Sequence, residues 1–175
     1  MSTYLVLCQN MARDIGIPGT GPSSVTSTSL SEEENAVVRY VKQADLDIQS
    51  RWFNWNFLWK EATITPSVGT STLTSPSDVG NWKLDSIVFS KATDSYQELE
   101  YMDWDDYNIE YKMGVIESGT PEVFSIKPDS VIDVYPTPDA TTAISVAYWA
   151  TPTELAVDSD ISAIPPRLHK IITSR

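Results

Sequence analysis

The stretch that decides the fold is Ser31-Glu-Glu-Glu-Asn-Ala-Val-Val-Arg-Tyr-Val-Lys-Gln-Ala-Asp-Leu-Asp-Ile-Gln-Ser50, followed by Arg51 and then Trp52-Phe-Asn-Trp-Asn-Phe-Leu-Trp59. Ser31 with Glu34 three residues on is a capping-box pattern: the hydroxyl accepts a backbone N–H of the first turn, and the carboxylate reaches back to the Ser31 N–H. Three acids at this end also suit the positive end of the helix dipole. Val37, Val41, Ala44 and Ile48 recur at helical spacing, while Glu33, Arg39, Lys42 and Asp45 take the other faces. The spacing predicts a long amphipathic helix running to about Arg51. At Trp52 the period changes to alternation, with large rings at 52, 53, 55, 57 and 59. Each such ring covers about 150–250 Å², so full burial contributes roughly 4–6 kcal/mol gross at about 25 cal/mol/Å². The cluster must lie against something.

Upstream, Leu5, Cys8, Met11, Ala12 and Ile15 repeat at three- and four-residue spacing, and Gly16 and Pro18 follow, which predicts a helix over 3–15. Residues 18–29, rich in Gly, Pro, Ser and Thr, form a loop with too little apolar surface to order itself. Downstream the chain reads as strands over 62–65, 71–74, 83–89, 97–102, 123–127, 131–135 and 143–149. The last three have the pattern of an antiparallel meander. Asp103-Trp-Asp-Asp-Tyr107 interrupts them as a short helix with Asp103 as cap. Ile164-Pro-Pro-Arg-Leu-His-Lys-Ile-Ile172 opens another helix, because proline suits a first turn that has no use for its missing N–H. The fold class is therefore α+β, a helical bundle with a large antiparallel β-rich insertion. The helical part spans 1–60, the insertion 61–160, and 161–175 starts the C-terminal helix that returns to the bundle.

Composition narrows function. At 175 residues the chain is long enough for one domain with a real core, and its 41% hydrophobic and 10% aromatic content argues against disorder. Twelve Lys and Arg against 24 Asp and Glu give a net charge of -12, the wrong sign for gripping phosphates. The N-terminus has no basic run ahead of its short apolar stretch, so nothing there directs export. No apolar run reaches the roughly 20 residues of a membrane span. The single cysteine, Cys8, permits no intrachain disulfide and reads as a small core residue.

Reactive chemistry is sparse. His169, the one histidine, sits at a helix start beside Arg167 and Lys170 and reads as structural or as an interface residue. No phosphate loop, nucleophile elbow or Cys/His ligand spacing is present, so no catalytic residue, cofactor or metal is expected. Asp158-Ser-Asp160 lacks the glycine and terminal Glu of a calcium loop. Asp103, Asp105 and Asp106 beside Trp104 and Tyr107 could serve a sugar subsite, or they solvate a short helix while the rings pack inward, the commoner arrangement. The aromatic excess has three readings, namely sheet core, carbohydrate platform and protein interface. Core is the default for Trp52, Trp55 and Trp59.

Taken together, Asp14-Ile-Gly-Ile-Pro-Gly19, the Ser/Thr loop and the junction Ile48-Gln-Ser-Arg-Trp-Phe-Asn-Trp-Asn-Phe57 resemble the head-to-tail adaptor proteins of tailed bacteriophages, of the tail tubular protein A type. The order continues through Glu61-Ala-Thr-Ile-Thr65, Leu73-Thr-Ser-Pro-Ser-Asp78, Val131 to Tyr135-Pro-Thr-Pro138 and Ile164 to Ile172, so the similarity spans nearly the whole chain. The resemblance implies a non-catalytic virion subunit, assembled in the host cytoplasm into a dodecameric ring at the neck. Its partners would be further copies, the portal, and tail, nozzle or tube proteins, with genomic DNA only passing through the lumen and no membrane involved. Trp52, Trp55, Trp59, Trp104, Arg167, His169 and Lys170 are the candidate partner-interface residues. Part of the charge at Glu32 to Glu34 and Asp103 to Asp106 is expected to line the lumen, where acids repel phosphate. The reading from a different class is a β-rich module that binds or hydrolyses carbohydrate.

Overall fold

In a computed structural model of the chain, residues 2–91, 95–141 and 143–173 are described. In chain order the elements are α1 (Tyr4–Asp14), α2 (Glu32–Ser50), a 3-10 turn (Asn56–Leu58), β1 (Trp59–Ile64), β2 (Val79–Trp82), a second 3-10 turn (Leu84–Ser86), β3 (Val88–Lys91), β4 (Ser95–Glu98) and β5 (Glu100–Tyr101). Then follow α3 (Trp104–Tyr107), a π-helical turn (Asn108–Lys112), β6 (Ser118–Gly119), β7 (Val123–Ile126), β8 (Ile132–Tyr135), β9 (Thr137–Pro138), β10 (Ile144–Ala150), a 3-10 turn (Pro166–Leu168) and α4 (His169–Thr173). The fold is α+β. It divides into two compact units, Met1–Leu58 with Pro152–Arg175, and Trp59–Thr151.

The helical unit packs α1, α2 and α4 on one another. Its core holds Tyr4, Leu7, Cys8, Met11, Val37, Val41, Ala44, Leu155, Ile164 and Ile172. The capping box forms as its sequence dictates: Glu34 N–H donates to Ser31 Oγ at 3.2 Å and Ser31 N–H donates to Glu34 Oε2 at 2.9 Å. The buried stripe of α1 is rotated from the expected one. Tyr4 and Leu7 are buried, Leu5 is half-buried, and Ile15 caps the helix exposed. Tyr4 turns inward because its hydroxyl finds an acceptor there, the Val38 carbonyl at 2.6 Å. The Ser/Thr-rich loop is a loop, tied down by Gln9 Nε2 donating to the Pro22 carbonyl at 3.1 Å. Gly21 has φ +78° and runs so close to α1 that a Cβ there would meet Ala12 Cβ at 3.0 Å; only glycine fits. The C-terminal helix starts as expected, although the last two residues of the expected range lie outside those described.

In the β unit, one five-stranded sheet runs β1-β10-β3-β4 with β2 also paired to β10, and a smaller sheet runs β5-β7-β8. Most pairs are antiparallel; β5–β7 and β6–β9 are parallel. Ile64, Leu73, Trp82, Ile87, Leu99, Phe124, Ile132, Val134, Ile144, Val146 and Tyr148 form the core.

Four strand expectations need correction. Residues 71–74 are no strand but run beside β8 through single bonds, such as Leu73 N–H to the Ile132 carbonyl at 2.9 Å. Residues 83–89 are broken by a 3-10 turn, because the Ser86 hydroxyl donates to the Lys83 carbonyl at 2.6 Å and accepts from Ala147 N–H at 3.1 Å, a side chain standing in for a backbone rung. Residues 97–102 divide at Leu99 between the two sheets. The expected meander stops after β7 and β8, since Pro136 and Pro138 have no N–H to extend the ladder; β10 then joins the larger sheet. The alternating run 52–59 is likewise a turn and a 3-10 segment that becomes strand only at Trp59.

Candidate functional site

The turn after α2 holds the most exposed rings of the helical unit. Trp52 is 63% exposed and Phe53 67%, so the expectation of a core position fails for Trp52. Trp55 is half-buried, and its indole N–H donates to the Ile48 carbonyl at 3.1 Å, satisfying an acceptor in the last turn of α2. It stacks on Phe57 with centroids 5.3 Å apart, and Trp52 leans on it at 6.4 Å. Trp59 is not part of this cluster. It opens β1 in the β unit, edge-on to Trp149 at 5.3 Å with the Lys83 ammonium 5.2 Å from its ring centre.

Trp104 is half-buried, stacked with Tyr107 at 5.8 Å, and the Lys127 ammonium lies 5.9 Å from its ring centre. Tyr107 is fully buried while Asp103, Asp105 and Asp106 are exposed, the arrangement of a solvated helix with rings packed inward. Asp103 is further occupied as the cap of α3, accepting from Asp105 N–H at 3.1 Å. Asp158 accepts from Val25 N–H at 2.6 Å, and Asp160 from Ala156 and Val157 N–H at 2.6 and 2.8 Å. These carboxylates tie loops together, and the two backbone bonds hold Asp160 below the usual carboxylate range.

His169 is buried, whereas Arg167 and Lys170 on either side of it are exposed. Its Nε2 lies 2.8 Å from the Ile164 carbonyl, which can only accept, so Nε2 carries the proton. Ser162 and Asp45 are buried in the same unit: the Ser162 hydroxyl donates to Asp45 Oδ1 and accepts from Ile164 N–H at 3.1 Å, and Gln49 Nε2 donates to Asp45 Oδ2 at 2.6 Å. Serine, histidine and aspartate are thus all present, but among the described residues no hydrogen bond joins His169 to Ser162. Ser162, Asp45 and Gln49 form a polar clasp that fastens the returning segment onto α2. Burial pushes the Asp45 carboxyl up, against the pull of Ser162, Gln49 and His169. Asp45 was expected on a polar face. Its place four residues after Val41 and four before Gln49, inside the helical stripe, was the available signal.

The sequence reading also missed two features of the β unit. Asp133 on β8 is buried, with Lys112 Nζ at 2.8 Å, Lys127 Nζ at 3.3 Å, Tyr107 Oη donating at 3.1 Å and Thr72 Oγ1 at 3.3 Å. Burial raises its carboxyl, but the Lys112, Ser71 and Tyr107 donors more than offset this and hold it below the usual carboxylate range. The second is the run that follows α3. Ile109, Met113, Val115 and Ile116 are exposed, Met113 by 79% and Val115 by 83%. Three of them, Ile109, Met113 and Ile116, fall at the i, i+4, i+7 spacing of one helical face, a signal the sequence reading passed over.

Exposed apolar side chains are thus present on each unit, whereas the buried carboxylates Asp45 and Asp133 are engaged in internal bonds. Among curated proteins no match is found. A family model described as SU10 adaptor protein matches residues 2–174. The match covers nearly the full length, and the chain belongs to the SU10 adaptor protein family, a family of structural adaptor proteins of bacteriophages.

Proposed function

We propose that the chain is a non-catalytic head-to-tail adaptor that forms a ring, dodecameric as in the adaptors it resembles, between portal and tail in the neck of the virion. The genome would pass through the lumen. The observation that carries this reading is exposed apolar surface on each of the two units: Trp52 and Phe53 on the helical one, and Ile109, Met113, Val115 and Ile116 on the β unit. Contiguous apolar patches on a soluble chain mark sites that another surface covers. Family membership supports the same role.

In this assembly Arg167 and Lys170, exposed at the start of the C-terminal helix, face the portal. Part of the charge at Glu32 to Glu34 and Asp103 to Asp106 lines the lumen and repels passing phosphate. Further partners are tail, nozzle or tube proteins.

Mixing the purified chain with portal rings tests the reading, with sedimentation velocity and electron microscopy as readouts. A ring of the chain on the portal is expected. Because every subunit carries a net charge of -12, its formation should strengthen as salt rises from low ionic strength and screens the repulsion. A chain that stays monomeric beside its cognate portal at all salt concentrations sinks the reading.

A further inference from the structure

Helix α2 bears a protrusion at one end and a hollow at the other. Past its C-terminal end, Arg51 is followed by exposed Trp52 and Phe53. Trp52 is braced, since it leans on Trp55, which is pinned by its bond to Ile48 and by stacking on Phe57. Near the N-terminal end, Met11, Ile15 and Ile17 face Ala36 and Val37 across a groove of about 500 Å³, with Glu33 on its border. That volume lies in the range of sites that hold apolar groups. The 19 residues of α2 make a rod about 28 Å long. The protrusion cannot turn back into the hollow on its own helix.

We infer that Trp52 and Phe53 of one copy seat in the α1–α2 groove of a second copy, repeated head to tail. This rests on the ring reading above and names the contact that builds the ring. Charge agrees with a second copy as the occupant: Arg51 adjoins the protrusion and Glu33 borders the hollow, and among the described residues neither is in an ion pair, so docking brings opposite signs together. Area sets the strength of the contact. About two thirds of two rings of 150–250 Å² each gives roughly 200–330 Å², and a similar area of groove makes roughly 400–650 Å² per contact. This is below the roughly 1,000 Å² that a free-standing interface needs, but each copy in a ring makes two such contacts. Isolated pairs therefore separate, while a closed ring holds. Because protrusion and hollow differ, the contact is heterologous and repeats until it closes. The braced Trp52 loses little freedom on docking.

The test is a cysteine pair in the full chain, Phe53→Cys with Ala36→Cys. Both positions are exposed, and native Cys8 is fully buried. Oxidised on portal rings, the double variant is expected to give a ladder of covalent species longer than dimers, and neither single variant should. Alongside it, Trp52→Ala should raise the concentration for half-assembly at least about tenfold, the loss of a buried interface anchor. Arg51→Glu and Glu33→Arg should each weaken assembly and restore it together. A wild-type ring with no ladder from the folded double variant, or with normal assembly of Trp52→Ala, overturns the inference and leaves the ring reading standing. A wild-type chain that forms no ring removes both.

Discussion

The Lys112 ammonium lies 2.8 Å from the Asp133 carboxylate, and the carboxylate is almost fully buried while the ammonium keeps contact with water. Lys112 ends the π-helical turn after α3 and Asp133 stands on β8, so this pair fastens helix to sheet. Replacing Asp133 with Ala strands the Lys112 and Lys127 ammoniums and the buried Tyr107 hydroxyl. The expected cost is about 3–5 kcal/mol, read as a fall in the urea midpoint of the β unit. A loss under 1 kcal/mol would mean that the node contributes little.

Two buried aspartates should give opposite pH dependence. Asp133 titrates below its ordinary value of about 3.9, so it adds stability that is present above pH 4 and is lost as pH falls through its folded value. Asp45 is pushed up by burial, so its proton is held in the folded state and stability falls as pH rises from about 4 through the raised value. Thermal unfolding across pH 2–8 checks both signs. Asp133→Asn should flatten only the acid limb, and Asp45→Asn only the decline above pH 4.

The capping box predicts a specific loss. Ser31→Ala removes the acceptor for Glu34 N–H, and the helical unit should lose about 1 kcal/mol, with Ser31→Asp restoring most of it. Chemical denaturation of the three proteins is the measurement, and an unchanged Ser31→Ala would show that the cap is redundant with packing.

Cys8 should be silent in the native protein. Burial pushes its thiol up to about 12, helped by the Asp158 charge, and the side chain is fully enclosed. A thiol reagent at pH 8 should react only at the rate of opening, and fully in urea; prompt native labelling would contradict the packing of α1.

The exposed run on the β unit separates folding from association. Val115→Asp with Ile116→Asp should shift stability by no more than about 0.5 kcal/mol, as for surface sites without partners. The same double variant should be lost from assembled particles, as mass spectrometry of purified virions would report. Normal incorporation would remove this surface from the assembly.

The helices were legible because each carries a local signal. Ser31 and Glu34 announce the start of α2, Gly16 and Pro18 stop α1, and Pro165 and Pro166 precede α4. Strand boundaries were less so, because the breaks at Ser86 and Leu99 depend on partners far along the chain, Ala147 in one case and Ile87 in the other. Period alone could not tell that Phe53 faces water and Trp59 joins a sheet, since both sit on the same alternation. Asp133 was hidden for the same reason, because its donors come from Lys112, Tyr107 and Thr72, far along the chain, whereas Asp45 was marked by its place in the helical stripe.

The first strand of the β unit lies beside its last, with Trp59 opposite Trp149 and Ile64 opposite Ile144. Everything between them hangs from a single two-stranded hem. Such a module can grow, shrink or be exchanged without pulling apart the places where the chain departs at Leu58 and resumes at Pro152. The surfaces of the β unit are thus free to change while the mutual packing of α1, α2 and α4 stays as it is.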